Sequence, residues 1–324
     1  MGNCKFSWIF VGFLLLGNAK VCGQQFDFNQ IKSPIIFKGD YKFAYRDPAV
    51  IYFEGYFHLY FTLVERAADS GMYLFTAFSK SEDLIHWSYP QKLTSRDRNL
   101  NYSSPGNIIR FNNQWVMCLQ TYPTPNNETW GNKTSRIWIM RSDDLENWSD
   151  PEMLMVKGDD VENANMGRMI DPYLLEDADE AGKWWCFYKQ NGVSMSYSYD
   201  LKTWEFSGSA NSGENVTVLN VDGEYLLFHS PENGIGVKRS ENPEQWGNDE
   251  TLITLGQENW PWAKRRLTAA TVIDLTDNKK FGKYVMFFHG SSEEGAKPFY
   301  NAHNNASLGI AWSDDLKVWD WPGK

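Results

Sequence analysis

One short turn pattern recurs five times along the chain. It begins at Ser, continues through Asp or Asn and then Leu or Pro, and ends at Trp six residues after the Ser. The five copies occupy residues 81–87, 142–148, 198–204, 240–246 and 313–319. Because an Asp or Asn side chain caps its own backbone in such a turn, each copy predicts a tight turn whose Trp opens the next strand. A pattern repeated at this spacing indicates one supersecondary unit used five times.

Apolar strand-like runs precede every copy of the turn. In the first unit they read PAVIYF, YFHLYFTLV and MYLFTAFS, and the other units carry comparable runs rich in β-branched and aromatic residues. Such short runs are typical of buried strands. Four strands per unit and five units predict an all-β fold, a five-bladed β-propeller with four-stranded antiparallel blades. The expected blades span about 40–93, 102–155, 169–208, 213–254 and 266–322.

Alternatives to the propeller are a β-sandwich and a solenoid, and the unequal spacing of the turns argues against a solenoid. Whether residues 33–37 add an outer strand to the last blade is left open. Aromatic residues make up 16% of the chain, which suits flat side chains packed between sheets and excludes a disordered chain. A net charge of -10 argues against nucleic acid as a partner.

The N-terminal residues 1–23 read as a secretory signal, with Lys5 before the apolar run 8–16. That run is far shorter than the ~20 residues of a spanning helix. We therefore expect a secreted or periplasmic protein, free of the membrane after signal removal, with 24–324 as a single catalytic domain. Lipoprotein anchoring at Cys22 is a less favoured alternative.

Two cysteines fall in the mature chain, Cys118 and Cys186, each in an apolar strand-like run. They are expected to be buried thiols, with a single disulfide between them as the alternative.

Acidic residues begin three of the five first strands. These strands begin at Asp47, Ser104, Asp171, Glu214 and Thr268. First strands line the central channel of a propeller, so the three carboxylates should converge at one mouth of it. A single Asp at a strand start is most often a turn cap, but crowded like charges destabilise a fold and usually serve chemistry or bind a cation. Two carboxylates are the apparatus of glycoside hydrolysis.

The motifs RDPAV at Asp47, IDPYL at Asp171 and GEN at Glu214 resemble those of five-bladed propeller glycosidases, namely glycoside hydrolase family 43 and its relatives in families 32 and 117. The resemblance covers essentially the whole mature chain. It implies that Asp47 is the general base, Asp171 orients and tunes the pKa, and Glu214 is the general acid. It also implies inverting hydrolysis of a plant- or algal-type glycan, an oligo- or polysaccharide.

Several departures from the family leave alternatives open. The acid of the family often stands before Gly-Pro, whereas Glu214 stands before Asn-Val, and Glu232 is a fallback. The Asn-Asp-Pro of the retaining relatives is Arg-Asp-Pro at Asp47, which disfavours a covalent intermediate. Family 117 uses a His acid, a role for which His289 and His303 are available.

Sugar-binding candidates lie near strand ends or in loops between blades. They are Arg46, Arg168, Arg266, His229, Trp260 and Trp262, with Tyr122 and Trp130 on weaker grounds. The arginines could pair with the site carboxylates or bind a carboxylate or sulfate on the substrate, and both readings stay open. Loop tryptophans offer stacking faces without an evident role in the core.

Three further expectations concern ligands and rival functions. No cofactor is required, although the resemblance leaves open a structural calcium ion in the channel with His289 as a ligand. A propeller phosphorylase or transferase is one rival. A non-catalytic sugar-binding propeller is another, but a lectin would tend to repeat its binding residues in every blade, and the first strands here begin with unlike residues.

Overall fold

The computed structural model describes residues 25–68, 71–292 and 305–324. The predicted secretory signal and His303 lie outside these ranges. The regular secondary structure of these residues is β-strand, apart from two short 3-10 helices at Phe28–Gln30 and Asn163–Asn165. Among them no helix is long and apolar enough to cross a membrane.

The strands form five antiparallel sheets. Strand β1, Ile35–Phe37, belongs to the last blade. Blade one contains β2 to β5, at Phe43–Phe53, Tyr56–Arg66, Met72–Ser81 and Gln91–Lys92. Blade two contains β6 to β10, at Tyr102–Ser103, Ile108–Phe111, Gln114–Thr121, Ile137–Ser142 and Glu152–Met153. Blade three contains β11 to β14, at Ile170–Glu176, Trp184–Lys189, Val193–Ser198 and Glu205–Ala210.

Blade four contains β15 to β18, at Glu214–Val221, Glu224–Ser230, Ile235–Ser240 and Thr251–Ile253. Blade five contains β19 to β22, at Arg266–Asp274, Tyr284–Ser291, Ser307–Ser313 and Trp319–Asp320, together with β1. Each blade therefore has four strand positions. In blade two the first position is broken into β6 and β7, and in blade five β1 and β22 both pair with β21.

The innermost strands β2, β7, β11, β15 and β19 neighbour one another in a closed ring. The predicted five-bladed propeller is thus confirmed. Strand β1 answers the open question about residues 33–37, because Ile35 pairs with Gly309 of β21 and so ties the start of the domain to its last blade. The ring of inner strands fixes the mouth at which their first residues meet.

Five apolar clusters fill the joints between successive blades. Along β3, Phe57, Leu59 and Phe61 pack toward blade five, whereas Tyr60 packs toward blade two. Both faces of a blade are therefore covered, which explains runs that are apolar without alternation. Cys118 and Cys186 are buried free thiols in the joint between blades two and three, as expected.

The repeated turn has the geometry that its residues predict. In the first copy Oδ1 of Asp83 accepts hydrogen bonds from the backbone N–H groups of Ile85 and His86, at 2.9 and 2.8 Å. Leu84 adopts a positive φ of 64°, as does the Leu of every other copy that has one. The expectation that the Trp opens the next strand holds for Trp319 in β22 but not for Trp87, which precedes its strand and donates to the carbonyl of Leu84.

Candidate active site

A β-bulge interrupts the first strand of four blades. Residues 47 and 48 together oppose a single residue of β3, and the same irregularity follows Ile170, Glu214 and Thr268. The first bulged residue has a positive φ in each case, and Ser104, at the break in blade two, has one as well. The five residues are Asp47, Ser104, Asp171, Asn215 and Ala269, with φ between 46° and 53°. A bulge re-aims its side chain, here toward the channel mouth.

A side chain from the preceding blade binds the backbone N–H of most of these bulges. Asp47 N donates to Nδ1 of His289 at 3.1 Å, Ser104 N to Oγ1 of Thr62 at 2.7 Å, and Asp171 N to Oε1 of Gln120 at 2.6 Å. The accepting residues occupy the same place, near the end of the second strand. Sequence reasoning missed Thr62 and Gln120, although a polar residue late in an apolar strand was a usable signal.

Asp47 is buried at the mouth, with 7% of its surface exposed. The hydroxyl of Thr62 donates to its Oδ2 at 2.9 Å, and Nε of Arg46 lies 3.9 Å from the same oxygen. Burial raises the pKa of Asp47, while Arg46 and the Thr62 hydrogen bond oppose that rise. The result is a carboxylate poised to accept a proton, held in place by two partners.

Asp171 is equally buried and has only neutral donors among its hydrogen-bond partners. The hydroxyl of Ser104 donates to Oδ1 at 2.8 Å, and the backbone N–H of Asn215 to Oδ2 at 3.3 Å. Burial, with the charges of Glu214 and Asp47, raises the pKa of Asp171 to about 7. A short chain of hydrogen bonds links the two buried acids, because Thr62 contacts both Asp47 and Ser104.

Glu214 lies one residue before the bulge rather than at it, so its register differs from that of Asp47 and Asp171. Its counterpart in blade one is Arg46. The side chain is 35% exposed, and Nη2 of Arg266 lies 2.5 Å from Oε1. Glu214 is therefore the carboxylate with the greatest access to solvent, while its charge still acts on both buried acids.

One cleft brings the three carboxylates together with predicted sugar-binding residues. Its lining includes Asp47, Asp171, Glu214, Arg46 and Arg168. Arg266 reaches the cleft through its contact with Glu214. The weaker candidates Tyr122 and Trp130 also line it, and the indole of Trp130 is half exposed. The fallback acid Glu232 is exposed in the turn after β16 and does not line this cleft.

The structure does not bring Trp260 and Trp262 to this cleft. Their rings stack on each other, with centroids 5.3 Å apart, and both stack on Phe288 of β20. Both residues were chosen as sugar-binding candidates because they had no evident role in the core. That premise is wrong, because both rings pack on Phe288. A tryptophan in a loop is covered whenever that loop folds back onto an apolar strand end.

His229 also points away from the three carboxylates. Ser230, not His229, holds the position equivalent to Thr62 in blade four, so the imidazole lies on the opposite face of β16. Its Nδ1 accepts from the N–H of Gly213 at 3.0 Å, and its Nε2 lies 2.9 Å from Glu250. His229 thus contacts the backbone directly before Glu214 rather than the cleft.

His289 is buried, and its Nδ1 is engaged by the N–H of Asp47. Burial holds its pKa well below the usual value, with Arg46 and Arg266 acting in the same direction, so it is a poor proton donor. Within the ranges described, no three His, Cys, Asp or Glu side chains are grouped to hold a metal ion. A calcium ion in the channel with His289 as a ligand therefore stays a prediction.

The fold is similar to those of solved glycosidases at low identity. An exo-1,5-α-L-arabinanase from a bovine ruminal metagenomic library matches with TM-score 0.61 and 16% identity over 88% of this chain and 99% of that chain. The catalytic domain of a Coprinopsis cinerea GH62 α-L-arabinofuranosidase matches with TM-score 0.59 and 15% identity over 85% and 90%. A Bombyx mori GH32 β-fructofuranosidase matches with TM-score 0.60 and 15% identity over 88% and 63%.

No curated protein sequence matches the chain. Residues 41–206 match the model of the family described as Glycosyl hydrolases family 43. The match covers just over half of the chain and includes Asp47 and Asp171, whereas Glu214 follows it. The chain belongs to glycosyl hydrolase family 43, and it is a glycosidase of the five-bladed propeller type.

Proposed function

We propose that the protein hydrolyses a plant- or algal-type oligo- or polysaccharide with inversion at the anomeric carbon. Asp47 acts as the general base, Glu214 as the general acid, and Asp171 orients and tunes the other two. The observation that carries the proposal is the convergence of three carboxylates in one cleft, two of them buried and one accessible to solvent.

Asp47 suits the base because its environment does two things at once. Burial raises its pKa, which makes the carboxylate a stronger base, while Thr62 and Arg46 stabilise the ionised form. In the proposed step a water attacks the anomeric carbon from the face opposite the leaving group. Asp47 takes the proton of that water as the new C–O bond forms.

Glu214 suits the acid because it is at the open side of the cleft. Arg266 holds Oε1, and Oε2 accepts no hydrogen bond from the residues described, which leaves it available to the leaving oxygen. The protonated carboxyl gives its proton to that oxygen as the glycosidic bond breaks, so that the products are a hemiacetal and an alcohol. Proton exchange with solvent then restores both carboxyl groups.

Asp171 contributes charge rather than a transferred proton. A pKa of about 7 means that this carboxyl carries a proton for much of the time below neutral pH. When Asp171 is neutral, the cleft holds two negative carboxylates, Asp47 and Glu214, instead of three. Hydrogen bonds with Ser104 and Asn215 fix the position of Asp171. Asp171 also lines the cleft.

The test is a screen of polysaccharides and aryl glycosides with wild-type protein and an Asp47→Asn variant. Release of reducing ends by wild type, with a loss of at least about 100-fold in the variant, is expected. Asp160→Asn changes an exposed carboxylate outside the cleft and is the matched control. Turnover that depends on added phosphate would support a phosphorylase, and binding of glycan without any cleavage would support a lectin; either result rejects the proposal.

We also propose that residues 1–23 direct export and are then removed. N-terminal sequencing of the protein recovered from a secreting host should begin at Gln24. Recovery of the intact N-terminus from the cytoplasm would reject this proposal without affecting the catalytic one.

A further inference from the structure

The three arginines of the cleft differ in what they bind. Nε of Arg46 lies 3.9 Å from Asp47, and Nη2 of Arg266 lies 2.5 Å from Glu214. Arg168 donates Nε to the carbonyl of Gly131 at 3.0 Å, and it forms no ion pair with a carboxylate in the part of the chain that the structure describes. Among the described residues, Arg168 is therefore the arginine of this cleft whose charge no side-chain carboxylate neutralises.

The position of Arg168 is fixed before any ligand arrives. Its guanidinium lies over the ring of Tyr122, 5.4 Å from the centroid, while the bond to Gly131 holds its Nε. Gly131 itself is pressed against the same ring, since a Cβ at that position would lie 2.6 Å from Cγ of Tyr122. A guanidinium held by a ring face and a backbone carbonyl loses little freedom when it binds an anion.

The third carboxylate of the cleft, Asp171, does not pair with Arg168. Asp171 receives its hydrogen bonds from Ser104 and Asn215, and within the described part of the chain it forms no ion pair with an arginine. A half-buried guanidinium without an anionic partner is costly, and that cost is recovered when a carboxylate or sulfate binds to it.

The surface beside Arg168 is suited to bind the ring of a sugar. Trp130 lines the same cleft with its indole 53% exposed, a large apolar face unusual at the surface. A pyranose or furanose ring stacked on an indole places its substituents at the ring edge, within reach of neighbouring polar groups.

We propose that Arg168 binds an anionic substituent, a carboxylate or a sulfate ester, on the sugar that occupies this cleft. The substrate is then an acidic glycan, and Arg168 is a specificity-determining residue. This inference rests on the proposed function, since it concerns the same cleft, but binding tests it separately from hydrolysis.

The experiment is calorimetric titration at low ionic strength with matched sugars. The pairs are glucuronate with glucose, galacturonate with galactose, and galactose 6-sulfate with galactose. At least one acidic member should bind about tenfold or more tightly than its neutral partner, and 0.5 M NaCl should abolish the difference. The uronates and the sulfated sugar distinguish the two sources of the anion.

Two variants and one control assign the effect. Arg168→Gln should abolish the preference for the acidic sugar, and Arg168→Lys, which keeps the charge but not the planar fork, should retain part of it. Arg110→Gln removes an exposed arginine that also lies over an aromatic ring, Trp115, but outside the cleft, and should keep the full preference.

Equal binding of acidic and neutral sugars by wild type overturns the inference, as does a preference that survives in Arg168→Gln. The salt dependence of wild type keeps the test decisive if a variant fails to fold. A preference for acidic sugars without cleavage of any glycan would reject the proposed function alone, and cleavage of neutral glycans without such a preference would reject this inference alone.

Discussion

The backbone N–H of Asp47 donates a hydrogen bond to Nδ1 of His289, 3.1 Å away, across the joint between the first and last blades. The candidate base is thus attached to the place where the propeller ring closes. Gln120 makes the equivalent bond to the N–H of Asp171 between blades two and three. An amide side chain can therefore serve the same purpose at this position.

His289→Ala should lower both kcat/KM and the free energy of unfolding, because it leaves a buried N–H of Asp47 without its acceptor, a loss of about 1–3 kcal/mol. His289→Gln offers an acceptor of the kind that Gln120 provides and should lose less in both measurements. Urea unfolding and steady-state kinetics on the two variants check this. Equal losses in both would show that the hydrogen bond to Asp47 is not what matters.

Thr62→Val should move the acidic limb of the pH profile of kcat/KM to higher pH. The hydroxyl stabilises the ionised form of Asp47, so its removal raises a pKa that burial has already raised. A base must be ionised to act, and the expected shift is roughly one to two pH units. Thr62→Ser keeps the hydroxyl and should keep the wild-type limb. If the acidic limb does not shift in Thr62→Val, the pKa that sets this limb does not belong to Asp47.

Asp171→Asn should stabilise the protein increasingly as the pH rises. The folded-state pKa of about 7 lies above the ordinary 3.8, so the folded protein holds this proton more tightly than the unfolded chain does. Wild type then loses stability as the pH rises from about 4 to about 7, and asparagine cannot titrate. Urea unfolding at pH 4.5, 6 and 8 measures the difference between variant and wild type. A difference that is constant across this range would contradict the raised pKa.

Glu214→Gln should lower kcat/KM on the natural glycan by about 10²–10⁴-fold. The loss should be smaller on an aryl glycoside whose leaving group is a nitrophenol, because a stable phenolate needs little protonation. The matched control is Glu232→Gln, which alters an exposed carboxyl after β16. Equal losses on both substrates would assign Glu214 a role other than proton donation.

The architecture was predictable because its signals are local. The capped turn that contains Asp83 uses residues close together in sequence, and the apolar runs beside it need no partner to be recognised. The family motifs around Asp47 and Asp171 were also local, and both residues lie in the cleft. A bulge with positive φ at a residue other than Gly has no sequence signature. The sequence therefore aligns Glu214 with Asp47 and Asp171, whereas in the structure the bulged residue of blade four is Asn215.

Partners distant in sequence were the part that could not be predicted. The sequence around Trp262 does not show that its ring stacks on Phe288. The sequence around the arginines does not show that Arg168 lies over Tyr122, or that Arg266 binds Glu214. The alternatives left open for the arginines depended on such contacts. In the structure Arg46 and Arg266 pair with site carboxylates, whereas Arg168 does not.

Proton NMR of the first-formed hemiacetal tests the central claim most directly, namely that Asp47 and Glu214 act as base and acid in one displacement by water. The spectrum is recorded within the first minutes of hydrolysis by wild type, before mutarotation mixes the anomers. Inversion predicts an initial anomer of configuration opposite to that of the cleaved bond. An initial anomer that retains the configuration of the substrate would require a covalent intermediate and would contradict the roles assigned to both residues.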